Sequence, residues 1–223
     1  MKTVCITFTC ERDFEIARLT HGELPAEWDK VWCVSAEDAE KLSAEEGAVP
    51  EGVELLVRDF DRGFGLNGRG TAEREAEVFR ELSERYDCVV KKDSDTVLFD
   101  AGAFTGAIEN GADYAGVKRY DWRGTPVCGG AVYAFSKRGA GSLPAEFDED
   151  KSRRFRSGED LIISNWFTSE SGLAVKIFPH TSLCLMGEAP TSKENLAGHY
   201  GFGSREGVAE RIAAHVQKWK ELS

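Results

Sequence analysis

The stretch Asp87-Cys88-Val89-Val90-Lys91-Lys92-Asp93-Ser94-Asp95-Thr96-Val97-Leu98-Phe99 carries a short β-branched run into two aspartates, and a second apolar run follows at once. Along an extended backbone, residues i and i+2 point to the same side. Asp93 and Asp95 are therefore expected to face one small volume at the end of a strand. Two carboxylates placed there repel unless a cation or a shared proton holds them. A Mg²⁺ or Mn²⁺ ion suits such a place, because it takes one or two protein carboxylates and fills its shell with water and substrate phosphates. An isolated Asp-x-Asp also describes a polar turn after a strand, in a chain with 39 Asp plus Glu. Apolar runs on both sides set this pair beside a sheet rather than on a solvated helix face, and loops at strand ends are where α/β proteins build sites.

Composition narrows the function classes. The 223 residues suffice for one large domain or two small ones, and 41% are apolar, enough for a sizeable core. The net charge of −11 argues against a nucleic-acid surface, which rests on Lys and Arg meeting phosphates. An anionic substrate then needs local help from a metal or a few arginines. Cysteines 5, 10, 33, 88, 128 and 184 are scattered through mostly apolar runs without CxxC spacing, so they read as buried reduced thiols and no zinc site. The run Val4 to Cys10 is too short and polar for a signal peptide, and no stretch is long and apolar enough for a bilayer. A cytoplasmic protein is the expectation.

Working outward from the acidic stretch, alternating strands and helices appear on both sides. Thr3 to Cys10, Val31 to Val34 and Val53 to Val57 read as strands. Ser35 reads as the N-cap of a helix from Ala36 to Glu45. A glycine-rich loop from Asp59 to Gly70 precedes a helix capped by Thr71 and running to about Tyr86, with Val78, Phe79, Leu82 and Tyr86 on one face. Beyond the acidic pair, Ala101 to Gly111 reads as a helix, Tyr114 to Val117 as a strand, and Cys128-Gly129-Gly130 as the entry to a strand over Ala131 to Phe135. Gly139 to Ser157 reads as a long mobile loop. A helix is expected from Ser157 to about Thr168, a strand over Ala174 to Phe178, irregular chain over 180–204, and a last helix from Ser204 or Arg205. That helix carries a stripe of Val208, Ile212, Val216, Trp219 and Leu222. Its polar face mixes both charges, which indicates no anionic membrane surface and leaves peripheral contact open. The alternation predicts an α/β fold, a mostly parallel central sheet flanked by helices, as one domain over 1–223.

The order of these motifs resembles the metal-dependent glycosyltransferases of the GT-A fold, of the inverting kind. The glycine-rich loop before a helix, Asp93-Ser94-Asp95 closing the next strand, Gly129-Gly130, Glu159-Asp160 and His199-Tyr200-Gly201 carry the resemblance, which covers residues 3–203. It implies a nucleotide-sugar donor, often a UDP-sugar, a hydroxyl acceptor and a Mn²⁺ or Mg²⁺ ion, with a donor part over 1–100 and an acceptor and catalytic part over 101–223. Asp93 and Asp95 would hold the metal, with His199 as a further ligand and His180 as the competitor for that place. Asp160 would be the general base, with Glu159 as the alternative base or an acceptor contact. Asp160 also completes a capping box with Ser157, where the helix dipole favours a carboxylate. Arg69 and Arg74 flank the start of a helix and would attract donor phosphate, or are simply surface arginines. Thr9, Ser35, Asp93 and Ser94 would lie along the donor. Trp122, Gly129 and Gly130 would meet the acceptor, Trp122 by stacking on a sugar face.

Other readings of the same residues stay open. Asp93-Ser94-Asp95-Thr96 also fits the nucleophile motif of haloacid dehalogenase-like phosphatases, although that motif normally opens its domain and residues 1–92 precede it here. A nucleotidyltransferase would want a glycine-rich phosphate loop after the first strand, and Cys10-Glu11-Arg12-Asp13 is not one. A catalytically silent member of the GT-A fold, binding a sugar or a partner protein, would keep the core.

Overall fold

Six consecutive apolar or β-branched side chains, Thr3 to Phe8, form β1, and all six are buried. Strands covered on both faces read as continuous apolar runs, and β1 lies inside the sheet for that reason. A computed structural model describes residues 1–222 apart from 59–67, 123, 153–157, 186–187 and 201–206, with the backbone alone at Trp122 and Lys151. The strands are β1 (Thr3–Phe8), β2 (Asp29–Val34), β3 (Val53–Val57), β4 (Cys88–Asp93), β5 (Thr96–Leu98), β6 (Tyr114–Trp122), β7 (Thr125–Ser136), β8 (Val175–Phe178), β9 (Leu183–Cys184) and β10 (Ala197–His199). The helices are α1 (Phe14–His21), α2 (Ala36–Ala44), α3 (Gly68–Arg85), α4 (Ala101–Glu109), α5 (Lys137–Gly141), α6 (Glu149–Ser152), α7 (Glu159–Ser169) and α8 (Val208–Glu221).

The main sheet runs β3-β2-β1-β4-β7-β6-β8. Its first four strands are parallel, β7 is antiparallel to both neighbours, and β8 is parallel to β6. This is the expected α/β architecture, a mostly parallel central sheet flanked by helices. The chain adds β2 and β3 on one side of β1, then returns to add β4 on the other. Ligand sites of open α/β sheets form in the crevice beyond the carboxyl ends of the strands at such a switch. In register, Phe8 of β1 lies opposite Asp93 of β4 and Cys33 of β2, so Asp93 stands at that edge.

Alternation along the strands divides the core. Val4, Ile6, Phe8 and Val89 pack with Phe79 and Leu82 of α3, Tyr133 and Phe135 of β7, and Phe167 of α7. Cys5, Cys88, Val90 and Val132 face the other way, against Phe104 and Ile108 of α4. A small second sheet, β5-β10-β9, carries its own apolar layer of Val97, Phe99, Cys184 and Tyr200 under Val208, Ile212 and Val216 of α8.

Several expectations need correction. Helix α3 already starts at Gly68, so Thr71 lies within its first turn and is not its cap. Gly129 and Gly130 sit in the middle of β7, because β6 and β7 form a hairpin longer than their apolar stretches suggest. Among the described residues, the segment from 139 to 152 is no long loop. It contains α5 and α6, and Arg80 of α3 donates to the carbonyls of Leu143 and Pro144 at 3.1 and 2.7 Å. The stretch 180–204 supplies β9 and β10. The capping residue Ser157, Gly201, and the expected helix start at Ser204 or Arg205 lie outside the described residues; α8 begins at Val208 behind Gly207, whose φ of 63° is left-handed.

Candidate active site

Three side chains from two strand ends and one turn converge at the edge beyond β4. One ligand atom each from Asp93, Asp95 and His199 lies within 4.8 Å of the others. His199 Nε2 is 3.2 Å from Asp95 Oδ1 and 3.8 Å from Asp93 Oδ2. The route to this convergence differs from simple strand alternation. Asp93 ends β4, while Asp95 lies in the turn to β5. β10 pairs antiparallel with β5, so that His199 stands opposite Thr96, and the Tyr200 amide donates to the Asp95 carbonyl at 2.9 Å. Gly198 permits the approach, since a Cβ there would meet the Phe99 ring at 2.8 Å.

The turn is held from below. Ser94 is buried, and its hydroxyl donates to the Phe8 carbonyl at 3.1 Å. The Ser94 carbonyl accepts from the Thr20 hydroxyl at 2.7 Å. Lys92, 1% exposed, donates to Thr20 Oγ1 at 2.7 Å and to the Asp93 carbonyl at 3.2 Å. Burial brings its ammonium down to about 8, with Cys5, Asp95 and Asp93 opposing. Lys91, 2% exposed, donates to Asp93 Oδ1 at 2.5 Å and to the Gly130 carbonyl at 2.6 Å. Burial acts to lower its pKa, but Asp93, Glu75 and Glu159 outweigh burial and raise it. Glu75 is itself buried and accepts from the Tyr133 hydroxyl at 3.2 Å.

The donor set is consistent with a divalent metal ion. Asp95 Oδ1 is buried and has no hydrogen-bond partner among the described residues, although His199 Nε2 is close by. Burial raises the Asp95 carboxyl, with His199 opposing and Asp93 adding. A buried acceptor of this kind carries an unmet electrostatic demand, and two carboxylates with one imidazole can hold a divalent metal ion.

A second carboxylate pole lies across Gly130. Asp160 stands in the first turn of α7, half-buried, and two glycines make room for it. A Cβ at Gly130 would come within 2.8 Å of Asp160 Cβ, and one at Gly158 within 2.7 Å of Asp160 Oδ1. Gly130 therefore serves Asp160 by its missing side chain. Burial pushes the Asp160 carboxyl up to about 6, with Glu159 and Asp93 adding and Lys91 opposing. Glu159 precedes it at the start of α7, half-buried. Gly158, the residue at the N-cap, makes no side-chain cap.

Thr9 is buried beyond β1; its amide donates to the Cys33 carbonyl at 3.1 Å, and its hydroxyl has no partner among the described residues. Ser35 caps α2, accepting from the Asp38 amide at 3.1 Å. Arg69 sits among acidic groups, with Glu73 at 2.7 Å, Glu149 at 3.7 Å and Glu146 at 4.0 Å. Arg74 is exposed on α3. His180 is exposed in a short turn of 3₁₀ helix and is not part of the cluster. Gly129 faces the Arg119 side chain, 3.4 Å from a Cβ position, and the backbone of Trp122 ends β6. Sequence reading overlooked Lys91, Lys92, Glu75 and Tyr133. Two lysines inside an apolar strand, directly before an acidic pair, were the available signal.

No family model matches the chain, and neither does any curated protein. Among solved structures it is similar to the crystal structure of a glycosyltransferase involved in the glycosylation of the major capsid of PBCV-1. Identity is 12%, the TM-score is 0.56, and the match covers 96% of this chain and 100% of that one. The likeness is one of fold. Among the described residues no helix is long and apolar enough to cross a membrane.

Proposed function

We propose that this protein is a divalent-metal-dependent glycosyltransferase of the GT-A type. In this reading it moves a sugar from a nucleotide-sugar donor, a UDP-sugar by preference, to a hydroxyl acceptor with inversion. The observation that carries the reading is the Asp93, Asp95 and His199 cluster beyond the carboxyl end of β4, in a fold shared with a glycosyltransferase. Asp93, Asp95 and His199 would hold Mn²⁺ or Mg²⁺ there, and the ion would supply positive charge for the donor diphosphate and the departing nucleotide. In this reading Thr9, whose buried hydroxyl has no partner among the described residues at the end of β1, would lie along the nucleoside of the donor. Residues 1–100 form the donor part and 101–223 the acceptor and catalytic part of one domain.

Asp160 is the general base. Its carboxylate takes the proton from the acceptor hydroxyl as that oxygen attacks the anomeric carbon opposite the nucleotide. A carboxyl near 6 is ionised at neutral pH yet more basic than an ordinary aspartate, which suits this work. Gly130 and Gly158 fix it in place, and Glu159 and Trp122 border the acceptor. The six cysteines are free and five of them are buried, which accords with a reducing, cytoplasmic setting.

Calorimetric titration of UDP and GDP into the protein, with and without Mn²⁺, tests the reading. Micromolar binding, on the scale of about −8 kcal/mol, that needs Mn²⁺ supports it and names the base. Absence of binding by either nucleotide with Mn²⁺ or Mg²⁺ present contradicts it.

A further inference from the structure

The two oxygens of Asp93 face different partners. Oδ1 accepts from Lys91 Nζ at 2.5 Å, while Oδ2 lies 3.8 Å from His199 Nε2. The same ammonium donates to the Gly130 carbonyl at 2.6 Å and sits 5.1 Å from the centroid of the Tyr133 ring. Lys91 thereby ties the end of β4, which carries the acidic cluster, to the point of β7 that cradles Asp160. Burying an ammonium is costly even when it is paired, and a well-packed apolar side chain is often as stabilising or more so. Packing alone therefore does not account for a lysine here. Lys92 does a different job, holding the backbone of the turn through Thr20 and the Asp93 carbonyl.

We propose that Lys91 is a positioning residue that claims one oxygen of Asp93 and leaves the other alone to a divalent cation shared with Asp95 and His199. The inference rests on reading that cluster as a cation site. A carboxylate meets a cation through one oxygen or through both. An ammonium on Oδ1 removes the second option and fixes the Asp93 rotamer. It also keeps the cation cluster in one relation to Gly130 and so to Asp160.

The test uses the full chain and Mn²⁺ alone. Wild type is compared with Lys91→Met, which keeps an unbranched side chain and removes the charge. Free Mn²⁺ is followed by electron paramagnetic resonance, and the waters on the bound ion by proton relaxation. An octahedral Mn²⁺ with three protein ligands keeps about three waters, and a carboxylate that turns bidentate displaces one. Lys91→Met is expected to bind Mn²⁺ with relaxivity per bound ion lower by about a third. Equal affinity and equal relaxivity in the two proteins overturn the proposal while leaving the cation reading intact. A wild type that binds no Mn²⁺ overturns both. A second measurement needs no variant: the ammonium groups of the wild type are followed by nitrogen-15 NMR as Mg²⁺ is added. The Lys91 signal, slow to exchange and shifted by the Tyr133 ring, is expected to persist at Mg²⁺ saturation. Its loss on saturation means that the cation has taken both Asp93 oxygens, and overturns the proposal.

Discussion

Strand β4 carries two runs of buried residues that serve opposite ends. Cys88, Val89 and Val90 are each 0% exposed and lock the strand between two apolar layers; Lys91 and Lys92, at 2% and 1%, carry charge into the same sheet. The first half stabilises, at about 25 cal/mol per Å² of apolar surface removed from water. The second half costs stability through desolvation, offset by Asp93, the Gly130 carbonyl and the Thr20 hydroxyl. The difference separates what builds the sheet from what places the cluster. Substitutions around the apolar half should lower stability and spare chemistry, and those around the charged half should do the reverse.

The largest expected effect lies at Asp160. Asp160→Asn should lower transfer by about 10²–10⁴-fold, the range of general base catalysis, with UDP binding retained. It should also stabilise the fold at pH 7. The native carboxyl, near 6, holds its proton above the reference value of 3.8, so ionisation opposes folding above pH 6. That penalty fades as pH falls from 6 to 3.8 and is absent below. Denaturant unfolding should therefore show the variant more stable at pH 7 by on the order of 1–3 kcal/mol, with the two proteins converging near pH 4. Wild-type transfer should fall as pH drops through about 6. Unchanged transfer in Asp160→Asn removes it as base.

Phe79→Ala tests the other side. Phe79 is fully buried between Phe8, Tyr133 and Phe135, and its truncation should cost about 3–5 kcal/mol. Mn²⁺ affinity of the protein that remains folded should not change; a matching loss of affinity would erase the division. Gly130→Ala perturbs Asp160 without touching the acidic cluster, because its Cβ would meet Asp160 Cβ at 2.8 Å in the native fold. Transfer should fall by about 10–100-fold, the result of moving a base by a fraction of an ångström, with Mn²⁺ binding little altered. The smallest effect belongs to Tyr200→Phe. Tyr200 Oη lies 3.0 Å from His215 Nδ1 and helps seat α8 on the small sheet. Its removal should lower stability by about 0.5–1.5 kcal/mol, measured by denaturant unfolding.

The apolar half of this comparison is legible in the sequence, and the charged half only in part. Strands β1 to β4 announce themselves as short β-branched runs, and Ser35 as a cap, because those signals are local. The acidic pair was visible for a partly mistaken reason: Asp95 joins Asp93 through the Ser94–Asp95 turn and not through strand alternation. His199 reaches the cluster by pairing between β10 and β5, a contact that no spacing reveals. Gly129-Gly130 read as a strand entry because glycine weakens a strand. The structure shows Gly130 inside β7, where the space it leaves is filled by Asp160, thirty positions later in the chain. The segment after Gly139 looked like a loop because its helices are short and its anchors, Arg80 and Glu73, lie on α3.

Calorimetric titration of UDP into wild type and Asp95→Ala, each with and without Mn²⁺, decides whether the acidic cluster holds a donor-binding cation. Mn²⁺-dependent binding is expected for the wild type and none for Asp95→Ala, with the same circular dichroism for both. Undiminished Mn²⁺-dependent binding by Asp95→Ala would contradict that expectation.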